Sequence, residues 1–251
     1  MPPRRDGPAH PIRRPVMFQS WTGISFLHWR YAAHEIRSLL PPELSLDTFD
    51  SSAWIGLTPF VLDNLRPPLI SPLPWISRFP EVNVRTYVVG PDGEPGIWFF
   101  SLEAHRLAAV IGARLTYGLP YRWSRIRVSH AEDVVRYQCR RHYPFRSAGC
   151  DIHIRIGPPV AAGEFERFLT ARFRLYTSLG GRLAFADVDH PPWPLHAADV
   201  IDLEQNLLEQ SGVPRPQGLP VAHYSPGVHV SVARPHWAPR RSLALACEYQ
   251  A

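Results

Sequence analysis

In the string Phe79-Pro-Glu-Val-Asn-Val-Arg-Thr-Tyr-Val88, a carboxyl (Glu81), an amide (Asn83) and a guanidinium (Arg85) occupy every second position. That spacing is the period of an extended strand, whose alternate side chains share one face and follow each other at about 7 Å. Such a face can bind and protonate a carboxylate or carbonyl compound: the guanidinium holds an anion, the amide donates or accepts, and the carboxyl moves a proton. A solvated strand face or a structural Glu/Arg pair would show the same pattern. A second cluster is Gly112-Ala-Arg-Leu-Thr-Tyr-Gly118-Leu-Pro-Tyr121, where a helical pattern ends at a glycine and Pro120 forces an extended exit. It offers Arg114, Tyr117 and Tyr121 to the mouth of a cavity, although Arg114 also suits a helix C-terminus with no ligand.

Several chemistries are excluded or weakened. All 27 basic residues are arginines, so every mechanism that needs a lysine amine is absent. Cys139-Arg-Arg-His142 and Cys150-Asp-Ile-His153 repeat a Cys-x-x-His spacing, but on regular strands residues three apart face opposite ways, so no zinc site is expected. His28, His34, His190 and His196 lack the i, i+4 pairing that puts two ligands on one helix face. No nucleophile elbow, P-loop or dinucleotide fingerprint opens a helix after a strand, and no cofactor is expected.

The elements that must position these residues are short. The 251 residues suit one barrel or sandwich core, and 28 prolines, about twice the usual share of roughly 5%, break too many segments for a helical bundle. Aromatic and β-branched runs predict strands over 18–31, 46–49, 53–62, 81–89, 97–105, 122–128, 134–142, 152–156, 183–188 and 228–233. Helical spacing predicts helices over 32–40, 107–115, 164–174 and 197–210, and the proline-rich stretch 66–80 reads as a surface loop or lid. Gly90-Pro-Asp-Gly-Glu-Pro-Gly96 reads as a hairpin turn with glycines at positive φ. No βαβ alternation is apparent, so the expected fold is an antiparallel β-barrel with a few short outer helices.

The net charge is +5, and residues 1–15 contribute +3 of it through Arg4, Arg5, Arg13 and Arg14 against Asp6. These residues read as a disordered tail ahead of one domain over 16–251. The remainder is nearly balanced, which argues against a nucleic-acid partner. No signal peptide or apolar span is present, and three sparse cysteines fit reduced thiols, so a cytoplasmic protein with no membrane partner is expected. Self-association is left open.

Seven strings, in order, resemble one family: Gln19-Ser-Trp21 with Phe26-Leu-His-Trp29, Leu39-Leu-Pro-Pro-Glu-Leu44, Trp54-Ile-Gly-Leu-Thr-Pro-Phe60, Phe79 to Val88, Phe99-Phe-Ser-Leu-Glu-Ala104, Gly118-Leu-Pro-Tyr121 and His190-Pro-Pro-Trp-Pro194. They are similar to the YqjF-like proteins, DUF2071, over nearly everything from Val16 to about Ala233. That family is remotely similar to the acetoacetate decarboxylase superfamily, a resemblance that implies a β-barrel cone around a small cavity. There a Gly-x-Pro-Lys-Lys string carries the Schiff-base lysine, whereas the matching string here is Gly118-Leu-Pro-Tyr121-Arg122. The resemblance also sets Glu81 near a cavity glutamate of that superfamily.

Two functions follow as expectations. One is a lyase- or isomerase-type enzyme acting on a small carbonyl or carboxylate compound, with Glu81 and Tyr121 catalytic and Asn83, Arg85 and Arg114 binding substrate. The other is a non-catalytic binding or sensing protein for an apolar or aromatic small molecule, in keeping with eight Trp and twelve Phe.

Overall fold

The protein is seen in a computed structural model that describes residues 7–8, 11–143 and 146–239. The strands among these are β1 (Met17–Ala32), β2 (Ser45–Leu46), β3 (Ser52–Arg66), β4 (Phe79–Val89), β5 (Pro95–Ala104), β6 (Tyr121–Ala131), β7 (Val134–Tyr143), β8 (Gly149–Pro159), β9 (Arg174–Leu179), β10 (Arg182–Asp189), β11 (His196–Gln205), β12 (Val221–Val232) and β13 (His236–Trp237). The α-helices are α1 (Ala33–Arg37), α2 (Leu107–Tyr117) and α3 (Glu164–Thr170). Among the described residues no helix is long and apolar enough to cross a membrane. Most of the predicted tail, and Cys247, lie outside the described residues.

All the strands belong to one sheet, and it closes twice. The first ring runs β4-β5-β6-β7-β8-β11-β12-β1-β3 and returns to β4. The second leaves β5 through β9 and β10, and rejoins at β12. Strands β12, β1, β3, β4 and β5 are therefore a wall common to both rings. Period-two alternation sends successive side chains of that wall into different compartments. On β4, Val82 and Val84 join a core with Leu27, Ile55, Tyr137 and Ile152, while Phe79 on the opposite face joins Phe26, Phe60, Leu102 and Tyr121.

Three expectations are corrected. The barrel is mixed rather than purely antiparallel, because β5 pairs parallel with both β6 and β9. The β5 and β6 pair is joined through α2, which is a βαβ crossover; parallel neighbours need such a return path. Residues 197–210 do not form a helix: they supply β11, paired to β8, followed by a short 3₁₀ turn at Glu209–Ser211. Finally, of the three glycines in the turn between β4 and β5, only Gly93 has a positive φ (81°). Gly90 and Gly96 are required by packing, since a Cβ on either would lie within 3 Å of the Tyr176 ring.

Candidate functional site

A cavity of about 390 Å³ opens inside the second ring, lined mainly by apolar side chains of β1, β3, β4, β5 and α2. Its polar groups are few, and three of them are the row recognised in the sequence, beside Gln19, Thr58 and Arg174. Glu81, Asn83 and Arg85 line it, as does Tyr121 at the start of β6. Thr58 lies directly across the ladder from Asn83 and faces the same space. A larger depression of about 620 Å³, lined by Arg125, Arg127, Arg140 and Asp151, lies along β6, β7, β8 and β11 and is open. It lacks the enclosure that makes polar groups selective.

The carboxyl of Glu81 is 2% exposed, and the Tyr121 hydroxyl donates to its Oε2 at 3.1 Å. Burial pushes the Glu81 carboxyl up to about 8, and hydrogen bonds from Tyr121 and Asn83 pull only partly the other way. Glu81 is thus a neutral acid at pH 7. Tyr121 is held well above the ordinary phenol value by burial and by Glu81, so it is a donor throughout the physiological range.

Glu81 and Arg85 do not form the ion pair that a structural reading of the row would require. Arg85 instead donates through Nη2 to the Leu169 carbonyl at 3.4 Å, and its guanidinium lies over the rings of Phe26 and Tyr87. Arg85 Nε, Asn83 Oδ1 and Thr58 Oγ1 are buried without a hydrogen-bond partner among the described residues. Unsatisfied buried polar atoms are costly, and a cluster of them on one cavity wall marks where a polar ligand atom fits.

Arg114 is not at this cavity. It is exposed on α2, beside Arg122, while Ala108, Ala109, Gly112, Ala113, Thr116 and Tyr117 are the α2 residues that reach the lining. The glycine that ends α2 is required twice over: Gly118 has φ 65°, and a Cβ there would meet the Ser178 carbonyl at 2.8 Å. This sharp stop starts β6 at Tyr121 with its ring turned into the cavity.

Sequence reasoning missed a buried polar support beneath Arg85. Tyr87, the next position in the same alternation, donates to the Leu169 carbonyl at 2.6 Å and lies 2.6 Å from His28 Nε2. Since the Tyr87 proton is committed to Leu169, His28 donates from Nε2 and presents an unpaired Nδ1. Burial and the nearby Arg85 charge keep His28 well below its ordinary value and therefore neutral. Extending the two-residue period by one step would have found Tyr87; His28 and Arg172, whose Nη1 contacts Asp47 at 2.6 Å, arrive from other elements. No cluster of metal-ligating side chains occurs among the described residues.

A family model for DUF2071, uncharacterized conserved proteins, matches residues 18–229. The uncharacterized protein YqjF of Bacillus subtilis (strain 168) is 35% identical over 212 residues, covering 84% of this chain and 87% of that protein. The solved acetoacetate decarboxylase of Legionella pneumophila superposes with a TM-score of 0.66 at 13% identity, covering 96% of this chain and 93% of that one. The enduracididine biosynthesis enzyme MppR, in complex with pyruvate, gives a TM-score of 0.65 at 11% identity, covering 93% and 94%. At these identities the two structures establish a shared fold.

Proposed function

The chain belongs to the DUF2071 family, and from that membership and its acetoacetate decarboxylase-like barrel we propose a lyase- or isomerase-type enzyme acting on a small carbonyl or carboxylate compound. The observation that carries this reading is the burial of the Glu81 carboxyl in an apolar enclosure, with Tyr121 as its hydrogen-bond donor: burial keeps the acid neutral and poised near physiological pH. On enolisation Glu81 gives its proton to the carbonyl oxygen and its carboxylate takes the proton released from the α-carbon, so the carboxyl ends protonated and the net change is one proton moved from carbon to oxygen. Tyr121 spends its only proton on Glu81 Oε2, so it orients the acid. Arg85 Nε donates to the anionic end of the substrate, and Asn83 Oδ1 accepts from a hydroxyl or enol O–H. The chain has no lysine, so no lysine Schiff base forms. That MppR holds pyruvate supports a short oxo acid as the ligand class.

A second reading, binding or sensing of an apolar or aromatic molecule without turnover, is favoured by the lining of Trp21, Phe60, Phe79 and Phe99. Native mass spectrometry of protein purified from its own host separates the two. The enzyme reading expects a co-purified small oxo or carboxylic acid that Glu81→Gln retains but does not convert. A co-purified hydrocarbon or arene, held equally by Glu81→Gln, supports the second. Absence of any bound mass, with no thermal shift from short oxo acids, overturns both.

A further inference from the structure

Eight of the fifteen exposed large apolar side chains among the described residues fall on two segments beside the cavity. Between β3 and β4, Leu69 and Trp75 are 104% and 80% exposed, and Ile70, Leu73 and Ile76 are also out in solvent. On α2, Leu107, Ile111 and Leu115 recur every fourth residue and form a second exposed stripe. The two patches flank one opening, because Ile76 and Leu65 line the cavity together with Ala108, Ala109 and Gly112. Contiguous apolar surface on this scale marks an interaction site.

Charge says what covers it. Residues 11–17, 66–78 and 105–117 hold six arginines and no Asp or Glu, one more positive charge than the net +5 of the entire chain. Arg13 and Arg14 are exposed just ahead of Met17, which lines the cavity; Arg66 and Arg78 bracket the loop, and Arg106 and Arg114 lie at α2. The one ion pair to these arginines among the described residues is Arg78 with Asp63 at 3.7 Å. A second copy of this face would set arginines against arginines, which disfavours self-association through it.

The backbone of the loop also suits an apolar surface. Pro67, Pro68, Pro72 and Pro74 have no N–H to leave unsatisfied. The Ile70, Ile76 and Ser77 amides bond within the loop, and Ser77 Oγ accepts from the Leu73 N–H while donating to the Leu65 carbonyl. Leu69 and Trp75 have φ of 64° and 75°, an unfavourable conformation for large side chains, and both point into solvent. We propose that this face docks peripherally on an anionic lipid bilayer, with the apolar loop and the α2 stripe in the headgroup boundary, the arginines on lipid phosphates, and the cavity mouth turned toward the membrane. The sequence expectation of no membrane partner rested on the lack of a spanning segment, which bears on crossing a bilayer and not on lying against one. The proposal stands whether or not Glu81 catalyses a reaction.

Flotation of the full-length protein with phosphatidylcholine vesicles, with or without about 30% phosphatidylglycerol, tests it at low and high salt. The expected result is binding to the anionic vesicles that weakens with salt. The partition should fall roughly five-fold for Arg114→Ser, and roughly ten-fold or more for Leu69→Ser with Trp75→Ser, at unchanged melting temperature. Equal or absent binding to the two vesicle types overturns the proposal, as does wild-type partition of the Leu69/Trp75 variant. Sedimentation showing a dimer that the same variant dissociates, or capture by single-stranded polynucleotide in place of vesicles, also overturns it.

Discussion

Tyr121 reaches Glu81 across the full width of β5. Glu81 sits opposite Ala104 in the β4–β5 ladder, Tyr121 sits opposite Leu102 in the β5–β6 ladder, and both side chains rise on the face that Ala104 keeps low. The hydrogen bond therefore depends on a parallel crossover, a glycine stop and a small residue between the partners.

The Glu81 carboxyl makes folding stability depend on pH in a specific direction. Below its unfolded value of about 4.5 both states are protonated; from there to about 8 only the unfolded chain releases this proton, so stability falls by about 1.4 kcal/mol per pH unit and then levels off. His28, His190 and His223 act oppositely, because burial lowers all three in the folded state. Glu81→Gln leaves those imidazoles in place. Urea unfolding from pH 4.5 to 9 should show the variant gaining on the parent up to pH 8 and then running parallel. A constant gap across that range would mean that Glu81 is not buried as a neutral acid.

Tyr121→Phe removes the donor that favours the Glu81 carboxylate, so the Glu81 midpoint should move above 8. Carbon NMR of selectively labelled glutamate reads that shift directly. The same change should cost about 1–3 kcal/mol, because a buried acceptor loses its partner. If turnover of an identified ligand is measured, its pH limb should move by the same amount and in the same direction.

The larger stability effect is expected in the other compartment. Glu103 and Arg141 are both buried; Arg141 Nε donates to Glu103 Oε2 at 3.0 Å, and Ser124 Oγ donates to the same oxygen at 2.6 Å. Glu103→Ala should destabilise by about 3–5 kcal/mol because it leaves a buried guanidinium unpaired. Combining Glu103→Leu with Arg141→Met should restore much of the loss. Denaturant unfolding of the two variants checks this, and ligand binding in the cavity should be nearly unaffected by the double change.

Cys139 and Cys150 are buried and directly opposed across β7 and β8. The Cys139 thiol is held well above its usual value by its hydrogen bond to Cys150 and by burial, and Cys150 is itself buried from reagent, so both should resist alkylation in the folded protein. In a Cys247→Ser background, thiol titration should find two groups that react only on unfolding. Chelator should leave the melting temperature unchanged; a drop would revive the zinc site that strand parity argues against.

Where one local period controls the outcome, the sequence was readable. The alternation of Glu81, Asn83 and Arg85 became a single cavity face, and the α2 pattern with its glycine stop became a helix. Residues 197–210 misled because β11 carries an irregularity between Val200 and Asp202. That extra residue turns the two-residue spacing of Ala198 and Val200 into a three-residue step to Leu203, and with Leu207 and Leu208 in the next turn the pattern imitates a helical stripe. Arg114 shows the complementary failure: spacing along α2 places it near the opening, but only packing decides which face of the helix looks inward. His28, Thr58 and the Arg172–Asp47 contact come from segments far apart in the chain, and no local period reports them.

The wall shared by the two rings separates two kinds of heritable change. At alternate positions of β4 a substitution enters either the cavity beside Glu81 or the packed core beside Val84, and the strand itself insulates one from the other. Substitutions at odd-numbered positions from 81 to 85 therefore reshape the cavity wall, while those at even-numbered positions act on the packed core. Within such a fold, the lining of the cavity can change among relatives whose stability and architecture hardly change.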